Sequence, residues 1–179
     1  MIALKHLQAI LVLPGVVLGL VPGIILWHAG MNIGWRLPMP LALAPSLLGL
    51  AFIGLGLRLS FQAITLFATF GQGTLAPWNP PRKLVVRGIY RRVRNPMISG
   101  VFSMLLGEAI CFGVGMLFAW FAFFVALNAT YIPILEERDL LHRFGADYAE
   151  YQRNVPRWIP RRIPWEPTAK DNSLAVENL

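Results

Sequence analysis

The sequence predicts an all-α fold: an integral membrane bundle of about four transmembrane helices, with a cytosolic loop between the second and third and an amphipathic helix after the fourth. Three observations carry this expectation. Hydrophobic residues occupy 56% of the 179 positions and charged residues only 14%, which is one domain's length with the balance of a membrane chain. Apolar runs recur at close to the roughly 20 residues a helix needs to cross about 30 Å of hydrocarbon. Basic residues collect in two stretches, one between and one after those runs.

Taken in order, the first span is placed near 8–28, where Ile10 to Trp27 is almost wholly apolar and Pro14 and Pro22 predict a kink. Lys5 before this run would also suit a cleaved signal, but no convincing small-residue cleavage site follows, so it is kept as a span. Pro38, Pro40 and Pro45 mark a short outer loop and the start of the second span, near 41–69. Met97 to Leu135 is too long for one crossing, and Gly113 and Gly115 supply a tight turn, which gives spans near 97–112 and 114–135. The stretch 70–96 reads as a cytosolic loop, 136–154 as a C-terminal helix and 167–179 as a disordered tail, with 1–166 forming a single domain.

Orientation follows from the basic residues. Arg82, Lys83, Arg87, Arg91, Arg92 and Arg94 lie between spans two and three, and Arg138, Arg143, Arg153, Arg157, Arg161, Arg162 and Lys170 follow span four, while the first loop offers only Arg36. Both termini and the middle loop are therefore expected in the cytoplasm. The net charge of +7 follows from this topology, which argues against nucleic-acid binding. Cys111 is alone and His6, His28 and His142 lack ligand spacing, so neither a disulfide framework nor a metal site is expected.

Chemistry concentrates at the cytosolic mouth of the bundle. Arg87-Gly88-Ile89-Tyr90-Arg91-Arg92-Val93-Arg94-Asn95-Pro96 is polar and basic, and Pro96 opens a helix whose N-terminus attracts carboxylates and phosphates. Adjacent acids, Glu136-Glu137, answer it at the end of span four. Glu137 shares a helical stripe with Leu141, Phe144, Tyr148 and Tyr151, and a carboxylate on a packed face wants a cation, either an arginine from the basic loop or a ligand's ammonium. Glu108, inside span three, needs a partner or a proton, and Asn128, Tyr131 or Arg58 are candidates. Arg58 alternatively snorkels to the headgroups. Val155 to Pro160 is expected to end the ordered part against the membrane surface, and Trp78 to act as an interfacial anchor.

The ordered set Gly71-Gln72-Gly73-Thr74, Pro80-Pro81, Gly88-Ile89-Tyr90-Arg91, Arg94-Asn95-Pro96-Met97, Gly100, Gly107-Glu108, Glu136-Glu137, Phe144-Gly145, Tyr148, Tyr151 and Val155-Pro156-Arg157 resembles the isoprenylcysteine carboxyl methyltransferase and phospholipid methyltransferase superfamily, over about half the chain. That resemblance implies an all-helical membrane enzyme using S-adenosylmethionine, enclosed by the cytosolic loop and the helix after the last span. It maps an Arg-His-Pro-type turn onto Arg94, Asn95 and Pro96, paired acids onto Glu136 and Glu137, and a Gly-x-Gly onto Gly71 and Gly73. Two positions depart from the pattern: Asn95 stands for a histidine and Ile98 for a tyrosine.

Under this resemblance Glu137, with Glu136, suits the cofactor's ammonium, Arg94 and Asn95 its carboxylate, and Tyr148, Tyr151 or Trp158 its adenine. The partners implied are membrane lipids and a lipophilic or prenylated acceptor. An acceptor carboxylate needs a cationic holder, for which Arg87, Arg91 or Arg58 serve; a phospholipid amine needs a base, for which Glu108 or Glu136 serve. Two other readings remain open: a membrane reductase holding NADPH, and a non-catalytic module in which the acids and arginines only close the bundle.

Overall fold

The computed structural model describes residues 14–70 and 84–167. The candidate positions Gly71 and Gly73, the Trp78 anchor and the tail from 168 onward lie outside the described residues. Among the described residues every regular element is helical. We label them α1 (Val16–Ala29), α2 (Leu43–Phe70), α3 (Pro96–Phe112), α4 (Gly115–Tyr131) and α5 (Glu137–Asn154). Short 3-10 turns sit at Gly30–Asn32 and Gly88–Arg91. Two helices, Leu43–Leu66 and the continuous Gly115–Asn154, are long and apolar enough to cross a membrane; α1 and α3 are shorter apolar helices. The apolar part of the second ends at Leu135, beyond which charged residues alternate with aromatic ones.

Prolines shape the apolar helices. Val16–Leu20, just before Pro22, and Ile132–Glu136, which contains Pro133, are widened π turns. Each proline lacks the N–H that an α turn would donate, and a π turn absorbs the defect without ending the helix. The second π turn joins α4 directly to α5.

Glycines bring α2 and α3 together. They run antiparallel, with Gly49 opposite Gly107 and Gly56 opposite Gly100. A Cβ added to Gly107 would lie 2.6 Å from the Gly49 carbonyl oxygen, and one on Gly100 would lie 2.7 Å from that of Gly56. Only hydrogen side chains permit this backbone approach. Across the seam the Ser103 hydroxyl donates to the Phe52 carbonyl at 2.7 Å. At its far end α3 stops at Gly113, whose φ of 60° is left-handed. There Gly34 N–H and Trp35 Nε1 donate to the Phe112 and Ile110 carbonyls, at 2.7 and 2.6 Å, and satisfy the helix end.

On α3, Val101, Met104 and Leu105 pack with Val17 of α1 and Phe124 of α4. Nearer the Gly113 turn, Ala109, Val114 and Leu117 meet Ile25, Leu26 and Ala29 of α1. The opposite end of α3, where the basic loop enters, carries the candidate site.

Two expectations are corrected here. The predicted stripe along 136–154 is broken at Gly145 (φ 55°, ψ −126°), and it is not uniformly covered: Glu137, Tyr148 and Tyr151 are buried but Leu141 is exposed. The physical reason is the left-handed backbone, which glycine adopts freely and which turns the second half of α5 relative to the first. Order also does not end at Pro160: an extended strap follows Asn154 and continues through Trp165 beside the basic loop.

Candidate functional site

The site begins with a short basic loop closed by the strap. Arg94 N–H donates to the Pro156 carbonyl (2.9 Å), Asn95 N–H to Arg157 (3.3 Å), Arg161 N–H to Arg92 (3.0 Å) and Trp165 N–H to Arg91 (2.8 Å). Side chains add to this backbone ladder. Ser99 Oγ donates to the Trp158 carbonyl (2.8 Å), Tyr151 OH to the Tyr90 carbonyl (2.7 Å), and Arg91 Nε to the Trp165 carbonyl (2.7 Å). Arg92 Nη1 donates to the Arg162 carbonyl. Beneath the ladder Tyr148, Tyr151 and Val155 are buried against Leu84, Val86 and Trp165.

Glu137 sits at the centre of this closure. Its Oε1 accepts from Arg94 Nη1 at 2.6 Å and Arg157 Nε at 2.7 Å; its Oε2 accepts from Arg157 Nη2 at 2.8 Å and Gln152 Nε2 at 2.9 Å. Four donors meet the roughly four lone-pair positions of a carboxylate. The Glu137 and Arg94 side chains are only 5% and 8% exposed. Burial by itself would raise the Glu137 carboxyl, but the Arg157 hydrogen bonds and the Arg94 and Arg157 charges outweigh it and hold the group below the ordinary carboxylate range. Arg94 also donates from Nε to the Val155 carbonyl at 2.9 Å, and its Nη1 lies 3.5 Å from the Tyr148 hydroxyl. Burial pushes the Tyr148 phenol up to about 12, so it stays protonated at neutral pH.

The predicted site residues thus separate into two sets. Arg94, Glu137 and Tyr148 are brought together and engage one another and the strap. Glu136 and Asn95 are different. Glu136 is exposed and makes no hydrogen bond or ion pair among the described residues, yet its charge falls on Tyr90, whose phenol is raised first by burial and then by Glu136. Asn95 precedes α3 without a capping side-chain bond, and Pro96 is fully buried as the first residue of that helix. One free acid and one free amide therefore border a closed ionic frame.

Other candidates are placed elsewhere. Arg91 is committed to the strap through Trp165 and through Glu166 at 2.6 Å. Arg87 lies over the Phe70 ring, 4.6 Å from its centroid. Glu108 is twelve residues into α3 from Pro96, about 18 Å along the axis at 1.5 Å per residue. Its Oε2 is buried without a hydrogen-bond partner among the described residues; the Asn128 amide donates instead to Phe124, and Arg58 is exposed. Arg157 and Gln152 were not singled out from sequence as site residues. Val155-Pro156-Arg157 stood out as a motif, but among so many arginines nothing marked the one that would face Glu137.

The family model for phospholipid methyltransferases matches residues 45–147, more than half of the chain, from the start of α2 into the second half of α5. The chain belongs to the phospholipid methyltransferase family. Within that family-matched region lie α2, the basic loop, α3, α4 and the paired acids, whereas Gln152, Arg157 and the strap follow it. A methanethiol S-methyltransferase of Bradyrhizobium diazoefficiens is 32% identical over 109 residues, covering 59% of this chain. The aligned part is 36% of that relative's length, so this methyltransferase-family chain matches only about a third of it. No solved structure matches the chain.

Proposed function

We propose that the protein is an integral-membrane methyltransferase that uses S-adenosylmethionine and methylates a lipophilic acceptor at the cytosolic mouth of a four-span bundle. The observation that carries this reading is the division at the basic end: Glu137 is saturated by Arg94, Arg157 and Gln152, while Glu136 next to it is unengaged. Family membership supports the reaction class, and the clustering of loop arginines at one end of the apolar helices supports the orientation.

The residues present fit the cofactor. Its ammonium wants a carboxylate, for which Glu136 is free; its carboxylate wants donors, which the Asn95 amide and the first turn of α3 supply. When bound, S-adenosylmethionine supplies an electrophilic methyl group on a sulfonium. Glu137 and its arginines hold the loop and the strap in place, so that Glu136 and Asn95 keep their spacing. Tyr148, protonated and buried, closes one side against water.

The chemistry favours an acceptor that arrives as an anion, a carboxylate or a thiolate. No acid or histidine occurs from 71 to 96, Glu108 lies about 18 Å away along α3, and Glu136 is taken up by the cofactor's ammonium in this reading, so no further acid is left to act as base for an amine. The loop's positive field stabilises anions and lowers a thiol's pKa. The relative's name, which specifies a small thiol, points the same way.

The test is methyl transfer by the detergent-purified protein to a long-chain thiol, a prenylated cysteine carboxylate and phosphatidylethanolamine. Transfer to the first two and not the third is expected. Binding of NADPH, with no adenosyl ligand bound, would replace this reading with that of a reductase.

A further inference from the structure

The strap after α5 leaves one edge unaccounted for. Ile159 is 79% exposed and Ile163 is 74% exposed, although backbone bonds on both sides of each, from Asn95 to Arg157, from Arg161 to Arg92 and from Trp165 to Arg91, fix the segment that carries them. Arg162, between them in sequence, is exposed with its guanidinium in no hydrogen bond or ion pair among the described residues. Two isoleucines and a free arginine are thus held outward rather than left on a loose tail.

Their level along the bundle decides what they meet. Trp158 packs on Phe102 of α3 with ring centroids 5.2 Å apart, and its carbonyl accepts from Ser99, so the strap crosses the first turn of that helix. With 17 residues, α3 is about 25 Å long, shorter than the roughly 30 Å hydrocarbon layer. The arginines of the basic loop, immediately before Pro96, set its first turn at the hydrocarbon border. Isoleucines exposed at that level face acyl chains, and an arginine beside them reaches the headgroups.

We infer that Ile159, Arg162 and Ile163 form a docking edge for the anionic cytoplasmic leaflet, through which lipid holds the strap closed over the basic loop. This rests on the membrane reading given above, but not on the cofactor. The charge is complementary: of the strap's arginines, Arg157 shares Glu137 with Arg94 and Arg161 donates to the Asn154 carbonyl, which leaves Arg162 for phosphate.

The test places a spin label at Ile163→Cys in a Cys111→Ser background of the full chain, in nanodiscs with and without phosphatidylglycerol. The expected result is a label rich in oxygen contact and poor in nickel-chelate contact when phosphatidylglycerol is present. It should shift toward water in pure phosphatidylcholine, and Arg162→Gln should abolish the difference between the two lipids. A label open to nickel chelate in the anionic discs, or equal depth in both lipids, would overturn the proposal. Phe61→Cys, on the exposed face of α2, reports the membrane reading separately: if it too is water-accessible, that reading fails and not the strap alone. The unmodified chain gives a second readout. Its unfolding temperature should be higher in anionic discs, with the gain shrinking at high salt, and no lipid dependence at all would again overturn the docking edge.

Discussion

Glu137 and Glu136 are neighbours in sequence with opposite situations, and their substitutions separate structure from binding. Removing the Glu137 carboxylate leaves Arg94 and Arg157 facing each other in a largely buried space. Glu137→Ala should cost about 3–5 kcal/mol of stability, the scale for breaking a buried pair from one side, measured by denaturant unfolding in detergent. A loss under 1 kcal/mol would contradict the frame. The same group sets an acid limit. Its folded pKa lies below the ordinary value of 4.5, so its contribution is complete above that pH and disappears as pH falls through the folded value. Glu137→Gln should flatten the stability profile below about pH 4.5 relative to the parent; an unchanged slope there would assign the acid sensitivity to other carboxylates. Glu136→Gln, by contrast, should leave stability within about 0.5 kcal/mol, as for other exposed positions.

At the scale of elements, the α2–α3 seam and the α5 break are the features most sensitive to sequence. Gly56→Leu would drive a side chain into the Gly100 carbonyl and Met104, whereas Gly54, two residues away, has open space at its Cβ position. The first should lose at least 1–3 kcal/mol from overpacking, and Gly54→Ala should be neutral or gain up to about 1 kcal/mol of helix propensity. Thermal unfolding of both variants checks this, and equal behaviour would mean that the helices do not approach through these glycines. The break at Gly145 (φ 55°) predicts a cost of about 1–2 kcal/mol for Gly145→Ala, although the space around it is empty. The helices themselves were legible because hydropathy and proline or glycine punctuation are local signals: the Gly113 turn, the Pro96 start and the apolar runs all lie where such signals stand. The break was not legible, since Phe144-Gly145 lies inside a pattern whose periodicity continues on both sides.

For the molecule as a whole, what joins the two ends of the candidate site is long-range. The sequence showed a basic loop and a pair of acids, and it left open whether an arginine or a ligand meets Glu137. Only the folded chain shows Arg157, twenty residues downstream, closing on Glu137 together with Arg94. It also shows the strap as a wall of the site rather than an end of order. Residue-level pattern cannot choose among sixteen basic residues when topology alone explains most of them, and the strap's ladder is backbone pairing that no side-chain pattern announces. The resulting architecture is a glycine-packed apolar bundle whose basic end is sealed by one ionic cluster, leaving one acid and one amide free beside it.

The most direct test of that architecture is the calorimetric affinity of S-adenosylhomocysteine for the detergent-purified parent and its Glu136→Gln variant, with matched unfolding temperatures. Saturable binding to the parent is expected, weakened about 10- to 100-fold in the variant, the range of a lost charge-assisted hydrogen bond. Equal dissociation constants, or no binding to a folded parent, would contradict it.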